Sequence, residues 1–182
     1  MPDPDPSAMV KWPAVPACYG WLSLNRRGCW LLKGEVIRHP GLIGFINNHY
    51  AGDESGNWIF RNGPQAVFVA LDYAPFVWRL EPDGQLTAHT GAAAGPVTAV
   101  FLDEEGSAVL YTKLGIGLLD DRDLAAFVAA CRNESGEPAG EADLLATMAG
   151  GGSVTFWCGL PLQAIKRHDL PQCYGFRPDP AP

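Results

Sequence analysis

"GWLSLNRRGCWLLKG", residues 20–34, sets two apolar runs of strand length on either side of Asn25-Arg26-Arg27-Gly28. Asn and Gly accept turn conformations that other residues resist, so the stretch predicts a β-hairpin. Its continuation, "HPGLIGFINNHY" (39–50), carries Leu42, Ile43, Phe45, Ile46 and Tyr50 at helical spacing behind Pro40. Proline suits the first helical turn, where its missing N–H costs nothing, so a short helix is predicted there. Strand signals resume in "GNWIFRNG" (56–63), "QAVFVALD" (65–72) and "PFVWRLEPDGQLTAHT" (75–90), divided by Gly, Pro and Asp turns.

About eighty residues further on the order begins again. "TAVFLDEEGSAVLYT" (98–112) is a second hairpin, with Asp103-Glu104-Glu105-Gly106 where the first has Asn25 to Gly28. "DDRDLAAFVAACR" (120–132) supplies a helix capped by Asp120 or Asp121, with Leu124, Phe127, Val128 and Cys131 on one face. A second helical stretch, "EADLLATMA" (141–149), and strands in "SVTFWCGLPLQAIK" (153–166) follow. The expected fold class is α+β: two weakly similar β-β-α-β-β repeats, mostly antiparallel curved sheet wrapped on helices. The expected divisions are a Pro-rich extended arm over 1–14 and a first repeat over 15–91. A second repeat with an extra short helix follows over 92–170, then a C-terminal strand and Pro-rich tail over 171–182. The boundary falls at "GAAAGP" (91–96).

Composition narrows the function classes. A 47% apolar share with 18% charged residues is that of a folded domain, and a net charge of -7 repels phosphate backbones and anionic membranes. No nucleic-acid or membrane partner is expected. The N-terminus lacks a basic segment followed by an apolar core, no apolar run approaches bilayer length, and the five cysteines are odd in number. A reducing cytoplasm is the expected location.

Several features of the first half fall together: the hairpin turn at Gly28 to Trp30, the Gly34 to Ile37 segment entering the helix, the strand start at Gly56 to Trp58 and "APFV" at Ala74 to Val77. In these, about a third of the chain resembles a bacterial domain-of-unknown-function family. Its members pair two motifs, each a helix wrapped by a strongly curved antiparallel sheet, and are proposed to act in signal transduction. The resemblance implies that fold, and implies a sister family of uncharacterised proteobacterial proteins. It departs at Pro64 and Gln65, where that family tends to carry a carboxylate.

No nucleophile elbow, zinc-protease helix, Walker loop or dinucleotide fingerprint is present, so no catalytic residue and no cofactor is assigned. "MAGGGSVTF" precedes a strand, not a helix, and reads as a connector rather than a phosphate cradle. His39 and His49 are ten residues apart around one short helix, a spacing that does not place them on the same face one turn apart, and no metal is assigned. The acidic clusters at 103–105 and 120–123 read as a solvated hairpin tip and a helix start. The leading expectation is a non-catalytic small-ligand-binding or sensory module, its site between the repeats and its ligand a small anion. Candidate ligand-binding residues are Arg61, Asn62 and Gln65 in "FRNGPQ", with Arg38 and His39 at the helix entrance. A protein-interaction or homodimerisation module, and an enzyme using Cys18, Cys29 or Cys173 as nucleophile, are the alternatives. Cys18 and Cys173 share a Cys-Tyr-Gly-aromatic context near opposite ends of the chain and read as boundary elements that clasp the fold.

Overall fold

The computed structural model describes residues 6–151 and 154–182. Residues 1–5 of the Pro-rich arm and residues 152 and 153 of the glycine connector lie outside them. The first sheet is built from β1 (Ala17–Leu24), β2 (Trp30–Leu32), β3 (Glu35–Val36), β4 (Tyr50–Gly52), β5 (Trp58–Asn62) and β6 (Gln65–Leu71), with α1 (Pro40–Asn48) between β3 and β4. The second contains β7 (Phe76–Leu80), β8 (Leu86–Ala88), β9 (Val97–Leu102), β10 (Ala108–Thr112), β11 (Ile116–Leu119), β12 (Phe156–Trp157) and β13 (Leu160–Ala164). Between β11 and β12 come α2 (Leu124–Ala130) and α3 (Glu141–Met148), and α4 (Leu170–Tyr174) closes the chain. The fold is α+β, mostly sheet, as the patterning predicts.

Strand order in the first sheet is β3-β2-β1-β6-β5-β4, and five strands of the second run β11-β10-β9-β13-β12. The two orders match position for position. In each, the first strand forms an antiparallel hairpin with the second and a parallel pair with the last, β1 with β6 and β9 with β13. In each, a helix is inserted after the third strand. Residue Tyr50, just past α1, pairs with Phe60, and Arg132, just past α2, bridges Phe156.

The turns match as well. Asn25, Asp53, Asp103 and Asn133 each accept, through Oδ1, the main-chain N–H groups two and four residues on, at 2.7–3.0 Å. The side chain thereby imitates a main-chain turn. Each turn ends on a glycine in the left-handed region, Gly28, Gly56, Gly106 and Gly136, with φ between 75° and 85°. A hairpin tip of this kind needs only a short acceptor and a residue without Cβ, and Asn and Asp serve equally.

Two divisions differ from expectation. β7 and β8, within the range expected for the first unit, are hydrogen-bonded into the second sheet, β7 running parallel to β11. Phe76, Val77 and Trp78 are all buried, so this strand needs cover on both faces. It finds cover beside β11, where Gly117 carries no Cβ to meet the Trp78 indole. The expected C-terminal strand is instead the short helix α4, whose Gly175 (φ 66°) ends it in the left-handed region.

The first sheet and α1 enclose one core, to which the second sheet also contributes Phe101, Val109, Ile116 and Leu118, and the second sheet encloses another. Leu42 and Ile46 of α1 are buried with Leu22, Leu24, Phe60, Val67 and Val69; Phe127 and Cys131 are buried with Trp78, Leu110, Trp157 and Leu162. The C-terminal segment ties the second unit back to the first: Arg177 donates its main-chain N–H to Gly56 O and Pro178 O accepts from Leu71 N, both at 2.8 Å. A Cβ on Gly56 would lie 2.6 Å from Gly175 O. Gly56→Ala therefore combines left-handed strain with a backbone clash and is expected to cost about 2 kcal/mol or more. Faster hydrogen exchange at the Leu71 amide would locate that loss in the clasp; unchanged protection there would rule the clasp out. Cys18 is buried on β1 and Cys173 exposed on α4, and both are free thiols.

Candidate functional site

The residues singled out in "FRNGPQ" divide. Arg61 is exposed on β5, its main-chain N–H donating to His49 O. Asn62 and Gln65 are brought together, Asn62 Nδ2 donating to Gln65 Oε1 at 3.2 Å. Gln65 Nε2 then donates to Pro13 O at 2.8 Å and Val15 O at 2.6 Å, fastening the N-terminal arm. With Pro64 they border a recess of about 550 Å³ beneath that arm. Arg38 is exposed, and His39 caps α1, Nδ1 accepting from Leu42 N at 3.3 Å. None of the five lines the space between the two units.

That space is a cleft of about 620 Å³ bounded by both halves. Its first wall is the end of β1 with Asn25, Leu31 of β2, and the stretch from Ala70 to Tyr73 leaving β6. Its second wall is Glu104 on the β9–β10 turn with Arg167 and His168 before α4; Pro171, Pro178 and Asp179 close it. The cleft therefore exists only because the C-terminal clasp folds the end of the chain over the first sheet.

Its framework is a buried polar cluster. Tyr73 donates its hydroxyl to Asp103 Oδ2 at 2.8 Å, and Asp103 is wholly buried. Burial and the Asp103 contact together raise the phenol above its ordinary range, so it stays a neutral donor. The guanidinium carbons of Arg26 and Arg167 lie over the Tyr73 ring, 5.0 and 5.1 Å from its centroid. Arg26 also donates to Ser107 Oγ at 2.9 Å, so the first hairpin tip is latched to the second.

Arg167 is held at three points. Its main-chain N–H donates to Glu104 Oε2 at 2.9 Å, which holds that carboxyl below its usual range. Its Nη2 donates to Asp72 O and lies 3.6 Å from Asp72 Oδ1. Nε and Nη1 have no partner among the described residues, leaving part of a guanidinium fork for a carboxylate or phosphate. His168, exposed beside it, pairs loosely with Asp169 at 3.3 Å.

Sequence reasoning missed this cluster because "DEEG" reads as a solvated tip. Glu104 and Glu105 are exposed as expected, but Asp103 is not. In the second acidic cluster Asp120 is likewise buried, accepting from Arg122 Nε and Nη2 at 2.9 and 2.6 Å, while Asp123 holds Arg79 at 2.6 Å. Among the described residues no group of three or more His, Cys, Asp or Glu converges as metal ligands would, and no helix is long and apolar enough to cross a membrane.

A family model, DUF2944, described as "Protein of unknown function (DUF2946)", matches residues 1–181. The chain belongs to this family. A domain of unknown function is the part of the first-half resemblance that this match supports. No curated protein matches the chain. A DUF1285 family protein from Silicibacter pomeroyi DSS-3, known from its crystal structure, is similar with a TM-score of 0.52 and 16% identity, covering 93% of this chain and 92% of that one. A second DUF1285 family protein, from Shewanella baltica OS155, gives a TM-score of 0.45 at 16% identity over 60% of this chain and 91% of that one. The first likeness is one of fold.

Proposed function

We propose that this DUF2944 chain is a duplicated sheet-and-helix module that binds a small anionic ligand between its two units, without catalysis. The observation that carries the reading is Arg167, anchored on Tyr73, Glu104 and Asp72 yet with donors to spare at the cleft. A long cation held at several points loses little entropy on binding, which favours recognition of a carboxylate or phosphate. The matching strand orders and turns support descent from one repeated unit. A ligand gripped from both sides changes the energy of their juxtaposition, and that is the element a sensory or signalling role requires. Exposed free thiols at Cys158 and Cys173 fit a reducing compartment such as the cytoplasm.

Thermal-shift screening against carboxylate and phosphate metabolites tests the reading. A ligand present at about a hundred times its Kd is expected to add roughly 2.7 kcal/mol of stability. Arg167→Met should abolish that gain. If no anion stabilises the protein, the reading fails; an undiminished gain in the variant puts the ligand elsewhere.

A further inference from the structure

The cleft does not end at the junction of the units. A second recess, of about 360 Å³, lies along the first sheet and is lined by Trp21, Lys33 and Gly34 among others. The two recesses share Ser23 and Ala70, which are register partners on the parallel strands β1 and β6. Their short side chains form one floor running from the inter-unit cleft to the β2–β3 turn. Ala70 and Leu31 make this floor largely apolar, with the Ser23 hydroxyl as a polar group in the middle.

At the far end stands a cation. Lys33 occupies the turn with φ 48°, a conformation that lysine rarely adopts, and its Nζ lies 3.7 Å from the centroid of the Trp21 ring. Among the described residues it forms no salt bridge. The groove therefore carries a cation at each end, Lys33 at one and, at the other, Arg167, which is paired with Asp72 and bordered by Glu104 and Asp179, with the Ser23 and Ala70 floor between them. From Trp21 on β1 to Asn25 in the turn that follows, the main chain advances about 13 Å, which sets the length scale of the groove.

We propose that the groove takes an elongated ligand with an acidic group at each end and an apolar middle. One acidic group lies at Arg167 and the other at Lys33. This rests on the reading of the inter-unit cleft as an anion site and adds the second anchor and the length.

The probes are linear α,ω-dicarboxylates of graded length and monocarboxylates of the same lengths, titrated into the intact protein by calorimetry. Dicarboxylates of about five to seven carbons, whose extended span is the strand distance less the reach of a hydrogen bond at each cation, are expected to bind at least tenfold more tightly than their monocarboxylate counterparts. Lys33→Met should erase that tenfold preference, lowering dicarboxylate affinity to that of the monocarboxylates; circular dichroism checks that the variant folds. Monocarboxylates binding as tightly as dicarboxylates at every length would overturn the second anchor and leave the cleft reading standing. A preference that persists in folded Lys33→Met would overturn the second anchor in the same way. If neither series binds but inorganic phosphate does, in a manner lost in Arg167→Met, the elongated ligand is wrong and the anion site right. If no anion binds at all, both readings fall together.

Discussion

Asp103→Ala is expected to lower the stability of the fold by about 3–5 kcal/mol, and Asp103→Asn by less than half of that. Asp103 is wholly buried and accepts three hydrogen bonds. Oδ1 takes the N–H groups of Glu105 and Ser107 at 2.9 and 2.7 Å, and Oδ2 takes the Tyr73 hydroxyl at 2.8 Å. Alanine strands all three donors, two of them in a hairpin tip that must keep its shape to hold Arg26 against Ser107. Each lost main-chain bond contributes about 1 kcal/mol and the bond to a buried carboxylate about 1.5–3 kcal/mol. Asparagine is the informative control, because Asn25 and Asn133 already make the same turn. Asn at 103 keeps the turn, and the Tyr73 hydroxyl can accept from its amide in place of donating. Denaturant unfolding of both variants separates the turn from the carboxylate. Equal losses would mean that the negative charge, not the turn, carries the stabilisation. The cleft should follow the same order: Arg167 rests over Tyr73, so anion-induced stabilisation disappears with Ala and survives with Asn.

The two hairpins and their equivalence are legible because an Asx-x-x-Gly turn is a local device. It needs four residues, and "NRRG" and "DEEG" spell it out. Helix α1 is legible for the same reason, with Pro40 and the spacing of Leu42 and Ile46 both inside one window. The destination of β7 is not. "PFVWRL" announces a strand buried on both faces, yet nothing local says which sheet will cover it. That choice depends on Gly117, some forty residues on, leaving room for Trp78. The candidate site is hidden on the same grounds. Tyr73, Asp103 and Arg167 are far apart in sequence and join no motif; they meet because the C-terminal clasp returns to Gly56 and Leu71. Conversely, "FRNGPQ" reads as a ligand loop because polar residues beside Gly-Pro are a common binding signature. In the fold the Gln65 amide is occupied by carbonyls of the N-terminal arm, a partner no local reading reveals, and the Asn62 amide by Gln65 itself.

Acid is expected to destabilise the protein well before its carboxylates protonate, through His89. This imidazole sits where the two sheets meet, with the Trp30, Tyr50 and Phe76 rings 5.3, 5.6 and 6.1 Å from it, centroid to centroid. Gly28 closes one side, where a Cβ would fall 2.6 Å from His89 Cβ. Nδ1 accepts from Val77 N at 3.3 Å, which leaves the proton of the neutral ring on Nε2, buried and without a hydrogen-bond partner. Burial alone drives its pKa down from 6.5 to about 3, since nothing there solvates an imidazolium. The sign follows from the two states. Above 6.5 the ring is neutral whether the chain is folded or not, and His89 has no effect on pH dependence. Below that, the unfolded chain takes up a proton that the folded chain refuses, so stability falls by roughly 1.4 kcal/mol per pH unit until the folded value is reached. At about pH 4.5 the loss amounts to roughly 2.7 kcal/mol, a large part of the margin of an ordinary domain. Urea unfolding followed by tryptophan fluorescence between about pH 7 and 4.5 measures it. His89→Asn keeps an acceptor for Val77 N and removes the titration; it costs packing equally at every pH, so its stability profile should be offset but flatter. A variant curve parallel to that of the natural chain would show that His89 is not the group responsible.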